Sequence, residues 1–272
     1  MVVQHNMQAA NTNRQLGITA SAQGKATEKL ASGYKINRAA DDAAGLSISE
    51  KMRSQIRGLD RASTNAADGI SVVQTAEGAL NEVHAMLQRM NELATQAAND
   101  TNTSVDRLAL KAELDELSSE INRISSSTQF NTMNLLDGTF TGKNLQVGAL
   151  SGQNIAINIS SLKSTDIGVG CADLIITSFQ SAGVTMAKVQ SAIDMVSVQR
   201  SKLGATQNRL EHTIANLDTT SENTSASESR IRDTDMAKQM VEYSKNNILV
   251  QAGQSMLAQA NQSTQGVLSL LQ

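Results

Sequence analysis

Apolar residues recur along this chain at alternating steps of three and four. From Ile70 onward, Leu80, Val83, Leu87, Met90, Ala94 and Ala97 trace one seam of an amphipathic helix. At ~1.5 Å per residue, the stretch from Ile70 to Ala98 predicts a rod on the order of 43 Å long. The pattern breaks at Asn99-Asp100, where Thr103 or Ser104 is placed to cap a successor. That successor repeats the seam through Leu110, Leu114, Leu117, Ile121 and Ile124 and ends in the polar run Ser125 to Thr128. A third rod lies far downstream, through Val189, Ile193, Val196, Leu203, Leu210, Ile214 and Leu217. Arg200 and Gln207 interrupt its seam. Polar residues at such positions cost stability and help set register, so the three rods need one another.

Between the second and third rods the period falls from about 3.6 to 2. Leu145, Val147 and Ala149 alternate with polar or small residues, Ser151-Gly152-Gln153-Asn154 supplies turn chemistry, and Ile155, Ile157 and Ile159 alternate again. Asp137-Gly138 marks a turn ahead of them. The expectation is a β-hairpin region at about 139–176. The predicted class is therefore mainly α: long antiparallel helical rods forming a coiled-coil bundle, with one small β-hairpin region.

The two ends carry weaker helical stripes. Leu16, Ala20, Gln23, Thr27, Leu30 and Tyr34 share one, and Leu257, Ala260, Thr264, Val267 and Leu271 share the other. Ordering some 40 residues costs roughly 40 to 60 kcal/mol of backbone entropy. At ~25 cal/mol per Å², offsetting that by apolar burial needs about 2,000 Å². One pair of Ala, Ser and Gln-rich helices does not bury that much, so the ends are expected to be loose in the monomer and to order against other copies. The organisation read from this is an N-terminal inner segment at 1–45, a helical rod domain at 46–229 and a C-terminal inner segment at 230–272. Gly45, after Ala39-Ala40-Asp41-Asp42-Ala43-Ala44, reads as a helix C-terminus or as a hinge between end and rod.

Composition removes most other functions. Aromatics make up 2% of the chain, without Trp or Pro, so the walls of a compact ligand pocket are lacking. A net charge of -3 with interspersed signs leaves no footprint for nucleic acid. Cys171, the single cysteine, reads as a small buried or half-buried residue. His5, His84 and His212 have no metal-ligand spacing and read as residues of exposed helix faces, and Asp41-Asp42 reads as a loop or cap. Phosphate-loop, dinucleotide and zinc-peptidase motifs are missing, so no catalytic residue, cofactor or metal is expected. The first residues, MVVQHNMQAANTNRQLG, do not form a cleavable signal, and no eighteen-residue apolar run predicts a membrane span.

The segment ASGYKINRAADDAAGLSISEKMRSQIRGLDRASTNAADGISVVQTAEGALNEVHAMLQRMNELATQAAND, from Ala31 to Asp100, closely resembles the N-terminal signature of bacterial flagellins. LGATQNRLEHTIANLDTTSENTSASESRIRDTDMAKQMV and NNILVQAGQSMLAQANQSTQGVLSLLQ resemble the flagellin C-terminal region, in the same order. Only about fifty residues separate the second rod from the third, so the resemblance is to a short form without large variable outer domains. The family commonly carries a proline where this chain reads Asn261-Gln262-Ser263-Thr264-Gln265.

The resemblance implies a structural, self-assembling subunit of the flagellar filament. It would be secreted by the flagellar type III route without a cleaved signal peptide, and its terminal segments would form an inner coiled-coil layer. Leu16, Leu30, Leu257, Val267 and Leu271 would be its subunit-packing residues. The implied partners are other copies of the chain, a flagellar secretion chaperone, and the filament cap and hook-junction proteins, with no nucleic acid and no membrane insertion. Toll-like receptor five of animal hosts is implied as well. Its patch would fall on Gln88, Arg89 and Leu93 of the first rod and Glu113 of the second, with Arg89 and Leu93 sharing a face off the seam. A hook-filament junction protein is the closest alternative, and a helical signalling hairpin is an alternative from another class.

Overall fold

In the computed structural model, which describes residues 6–269 and side chains as far as residue 263, the chain is dominated by long helices. They are α1 (Met7–Ser32), α2 (Ala43–Ala97), α3 (Ser104–Ser127), α4 (Phe179–Arg232) and α5 (Met236–Ser269). Four short strands, β1 (Gln129–Phe130), β2 (Met133–Asn134), β3 (Lys143–Gln146) and β4 (Asn154–Ile157), lie between α3 and α4. The molecule divides into two compact units, one spanning Gln55–Glu222 and the other built from the flanking segments. The divisions fall within α2 and α4.

Each helix starts or ends where a side chain satisfies orphaned backbone groups. The Asn6 carboxamide accepts from the Ala9 N–H at 2.9 Å, and α1 stops at Gly33, whose φ of 74° glycine adopts without strain. Thr103 and Asp106 form a reciprocal capping box at the start of α3. Asp235 accepts from the Ala237 and Lys238 N–H groups at 3.1 Å to open α5.

Gly45 neither ends a helix nor forms a hinge after one. It lies in the first turn of α2, where its N–H donates to Asp42 Oδ1 at 2.9 Å. A Cβ at this position would fall 2.8 Å from Ile36 Cδ1, so any larger residue here would have to displace the Ile36 side chain of the connecting segment. Asp41 and Asp42 are both caps, as expected: Asp41 Oδ2 accepts from the Asn37 and Arg38 N–H groups at 3.2 and 3.0 Å. These backbone hydrogen bonds hold the Asp41 carboxyl below the usual carboxylate range.

Within Gln55–Glu222, α2 and α4 run antiparallel. Ser221 donates to Asp60 at 2.9 Å and Ser63 to Asp218 at 3.1 Å, while Arg200 approaches Glu77 at 3.8 Å. α3 folds back along α2, pairing Glu113 with Arg89 and Arg107 with the Ala97 carbonyl. The seam residues Leu80, Val83, Leu87, Met90, Leu114, Ile121, Val189, Val196 and Leu203 are buried together as one core. The predicted rods are thus present, although α2 begins well before Ile70 and α4 ten residues before Val189.

The intervening segment holds two two-stranded antiparallel sheets instead of one hairpin. β3 and β4 pair Leu145 with Ile155 and Lys143 with Ile157, the hairpin expected from alternation, but Val147, Ala149 and Ile159 lie beyond its strands. β1 and β2 are joined by Asn131 and Thr132, both at positive φ. The stretch after β4 is irregular yet buries Ile159, Leu162, Ile167, Val169, Leu174 and Ile176 in the main core.

In the other unit, α1 packs antiparallel to α5: Asn6 donates to the Ala260 carbonyl at 3.0 Å, and Leu16 lies against Gly253. Few side chains there are buried. Ala26 and Ile36 are its buried apolar residues among those described.

Candidate functional site

The helix pair α1–α5 has the chemistry of an interface lacking a partner. Met7, Ile18, Met236, Met240, Val241, Ile248, Leu249 and Met256 are exposed, Met7 and Val241 to about seven tenths. Large apolar side chains standing in water over both helices mark an interaction surface. Leu16, Leu30 and Leu257 are half-buried, and Leu16 lies against Gly253 of α5. Leu271 lies outside the described residues, as does the side chain of Val267. The exposed methionines, isoleucines and valines were not legible as a set. They do not share one helical stripe, since a helix packed on several neighbours is apolar on several faces.

The link between α1 and α5 is made near Tyr34. Tyr34 pairs with Asp233 in an isolated antiparallel bridge, flanked by Thr234 N–H to Gly33 O at 2.9 Å and Lys35 N–H to Arg232 O at 2.7 Å. Two guanidiniums stack on its ring, with Arg53 Cζ 5.5 Å and Arg232 Cζ 4.9 Å from the centroid. Arg53 also donates to the Tyr34 hydroxyl at 3.0 Å and pairs with Glu228 at 3.2 Å. This clamp ties the end of α1 to both α2 and α4. It joins residues some two hundred positions apart, so no local sequence signal reveals it.

On the rod unit, Arg89 is the hub of a surface cluster. Its guanidinium bonds Glu113 at 2.9 Å across to α3 and Glu92 at 3.1 Å along α2. The hydrogen bonds to Glu113, and then to Glu92, raise the guanidinium pKa further. Gln88 is exposed, as are Arg89 and Glu113, and its amide lies 3.1 Å from His84 Nε2.

Leu93 does not join that surface. It is 1% exposed and packed in the main core. The reading that placed it off the seam fails because α2 is flanked by both α3 and α4, which requires an apolar face wider than one seam. Cys171 also differs from expectation: it is exposed, on the irregular segment before α4. His84 is half-buried and His212 exposed, while His5 lies outside the described residues.

Among the described residues no group of three His, Cys, Asp or Glu side chains could hold a metal, and no helix is long and apolar enough to cross a membrane.

Comparison with known proteins matches both halves of the chain. Residues 3–141 match the bacterial flagellin N-terminal helical region, and residues 186–271 the bacterial flagellin C-terminal helical region. A flagellin of Halalkalibacterium halodurans is 55% identical over 271 residues, covering all of both chains. A flagellin of Bacillus subtilis is 49% identical, again over the full length of both. The flagellar filament 31.3 kDa core protein of Treponema maltophilum is 48% identical, with the same full coverage.

Proposed function

Since the chain belongs to the bacterial flagellin family, a family of structural and non-enzymatic proteins, we propose that copies of it polymerise into the flagellar filament that drives motility. The observation that carries this reading is the α1–α5 unit, with long helices, few buried side chains and apolar residues facing water along both members. Such a unit gains its missing burial only against further copies, as ordering of the ends on assembly requires. The filament core protein of Treponema maltophilum, matched over its whole length, supports the same assignment.

Export follows the flagellar type III route, and the chain is handed over by a flagellar secretion chaperone. It meets the hook-junction proteins at the filament base and the cap protein at its growing tip. Seeded polymerisation followed by electron microscopy tests the assignment. The full chain should elongate seeds. Chains lacking residues 1–40 or 235–272 should keep a cooperatively melting rod and form no filament, whereas filaments from either truncated chain would overturn the role given to the ends.

A second reading is favoured by the exposed Arg89 cluster. Arg89, Glu113 and Gln88 offer Toll-like receptor five a preorganised arrangement of donors and acceptors on the free subunit, with buried Leu93 supporting the helix from beneath. Titration of monomer against the receptor ectodomain tests this reading, and equal affinity of wild type and the Arg89→Ala chain would reject it.

A further inference from the structure

The methionines of this chain are unevenly placed. Met7 of α1 and Met236, Met240 and Met256 of α5 are 50 to 75% exposed, whereas Met90 is fully buried in the rod core and Met52, Met86 and Met186 are half-buried. Among the described residues the other two exposed methionines, Met133 and Met195, lie on the rod unit and are less accessible than those four.

The four stand on the helix pair that lacks a partner. Met236 and Met240 are one turn apart on α5 and share a helix face. Asn6 ties the start of α1 to the Ala260 carbonyl at 3.0 Å, so Met7 lies at the end of the pair where α5 carries Met256. A thioether on an unbranched chain adapts to whatever neighbour covers it, which suits a face that must fit other helices. It is also open to mild oxidants, as the leucine, isoleucine and valine side chains beside it are not.

A peroxide supplies the chemistry. The thioether lone pair attacks one peroxide oxygen, an S–O bond forms as the O–O bond breaks, and the second oxygen leaves as water. Sulfur loses two electrons and the peroxide gains them. The sulfoxide that results is polar and chiral. In the free subunit its oxygen is hydrated. Covered by apolar side chains of another copy and given no donor, the same oxygen loses that water without compensation, which weakens addition of the subunit by about tenfold for each such group.

We propose that Met7, Met236, Met240 and Met256 make assembly sensitive to oxidation: peroxide converts them in the free subunit, and the filament rejects the modified copy. The proposal rests on the filament reading, because a second copy must cover α1 and α5. Its test uses the full chain carrying Cys171→Ser, which removes the competing thiol. The free subunit is partly oxidised with hydrogen peroxide and offered to seeds in excess, and peptide mass spectrometry compares the sulfoxide fraction at each methionine between the filament and the unassembled pool. Sulfoxide at each of the four should be depleted from the filament by about tenfold, while sulfoxide at Met133 and Met195 enters in proportion. Methionine sulfoxide reductases for both sulfoxide epimers should restore incorporation of the rejected pool. Entry of the four sulfoxides in proportion would overturn the proposal and leave the filament reading intact. Equal depletion at all six methionines, or a pool that stays excluded after repair, would mark general damage to the fold and equally overturn it. Failure of the untreated subunit to elongate seeds would instead remove the filament reading, and the proposal with it.

Discussion

Arg89 of α2 and Glu113 of α3 close an ion pair at 2.9 Å across two antiparallel helices, although the residues are 24 positions apart and each stays about half exposed. Exposed pairs add little to folding because water screens them and long side chains lose freedom in making them. The value of this pair lies in presenting a fixed guanidinium beside a fixed carboxylate. Arg89→Ala and Glu113→Gln should therefore leave the thermal midpoint almost unchanged. Arg89→Ala should weaken receptor binding by about tenfold, the effect of a modest hot spot. Differential scanning calorimetry and a binding titration separate the two effects.

Leu93 provides the opposite case. It stands four residues from Arg89 but is fully enclosed, so Leu93→Ala should destabilise the rod unit by about 2 to 5 kcal/mol. Leu108→Ala, on an exposed position of α3, should stay within about 0.5 kcal/mol of the parent. Denaturant unfolding of both variants checks the contrast, which disappears if Leu93 is in fact a surface residue.

Arg107 caps the C-terminal end of α2. Its guanidinium, 14% exposed, donates to the carbonyls of Ala97, Asn99 and Thr177, closing the end of α2 and anchoring the segment before α4. Arg107→Ala should cost about 1 to 3 kcal/mol by leaving these acceptors without their donor. A lysine lacks the planar fork and should recover only part of the loss. Equal unfolding midpoints for wild type and both variants would remove Arg107 from this role.

The start of α3 should be sensitive to acid. Hydrogen bonds from the Thr103 hydroxyl and then from its backbone N–H hold the Asp106 carboxyl below the usual aspartate range. A carboxyl lowered in the native state contributes its stabilisation fully above the ordinary aspartate pKa. That contribution is lost as pH falls through the lowered native value. Asp106→Asn should flatten this part of the pH dependence of unfolding, and Thr103→Ala should cost about 1 kcal/mol at neutral pH. Parallel pH profiles for Asp106→Asn and the parent would show that the capping box is not the source.

The rods were legible because three- and four-residue apolar steps over many turns have one physical solution, and the break at Asn99-Asp100 coincides with the end of α2. The width of the buried face was not. A single seam describes a helix with one neighbour, and Leu93 is enclosed because α2 has two. The β3–β4 hairpin was announced by alternation, whereas β1 and β2 are two residues each and turn through Thr132 at φ 63°, a conformation that a β-branched residue rarely adopts. The irregular segment from Ile159 to Ile176 buries Ile159, Leu162, Ile167, Val169, Leu174 and Ile176 without any period and leaves Ile175 exposed. Of the proposed recognition surface, resemblance alone reached Gln88, Arg89 and Glu113, and the contact between Arg89 and Glu113 only becomes visible once α3 has folded back on α2.

The central claim is that assembly orders the paired ends. Amide hydrogen exchange of α1 and α5, measured in the monomer and again in the filament, tests it most directly. The α2, α3 and α4 amides of Gln55–Glu222 should be protected in both states, and those of α1 and α5 should exchange rapidly in the monomer and become protected only in the filament. Protection of α1 and α5 in the monomer equal to that of the rod would contradict the account, because the helix pair would then be stable without neighbours.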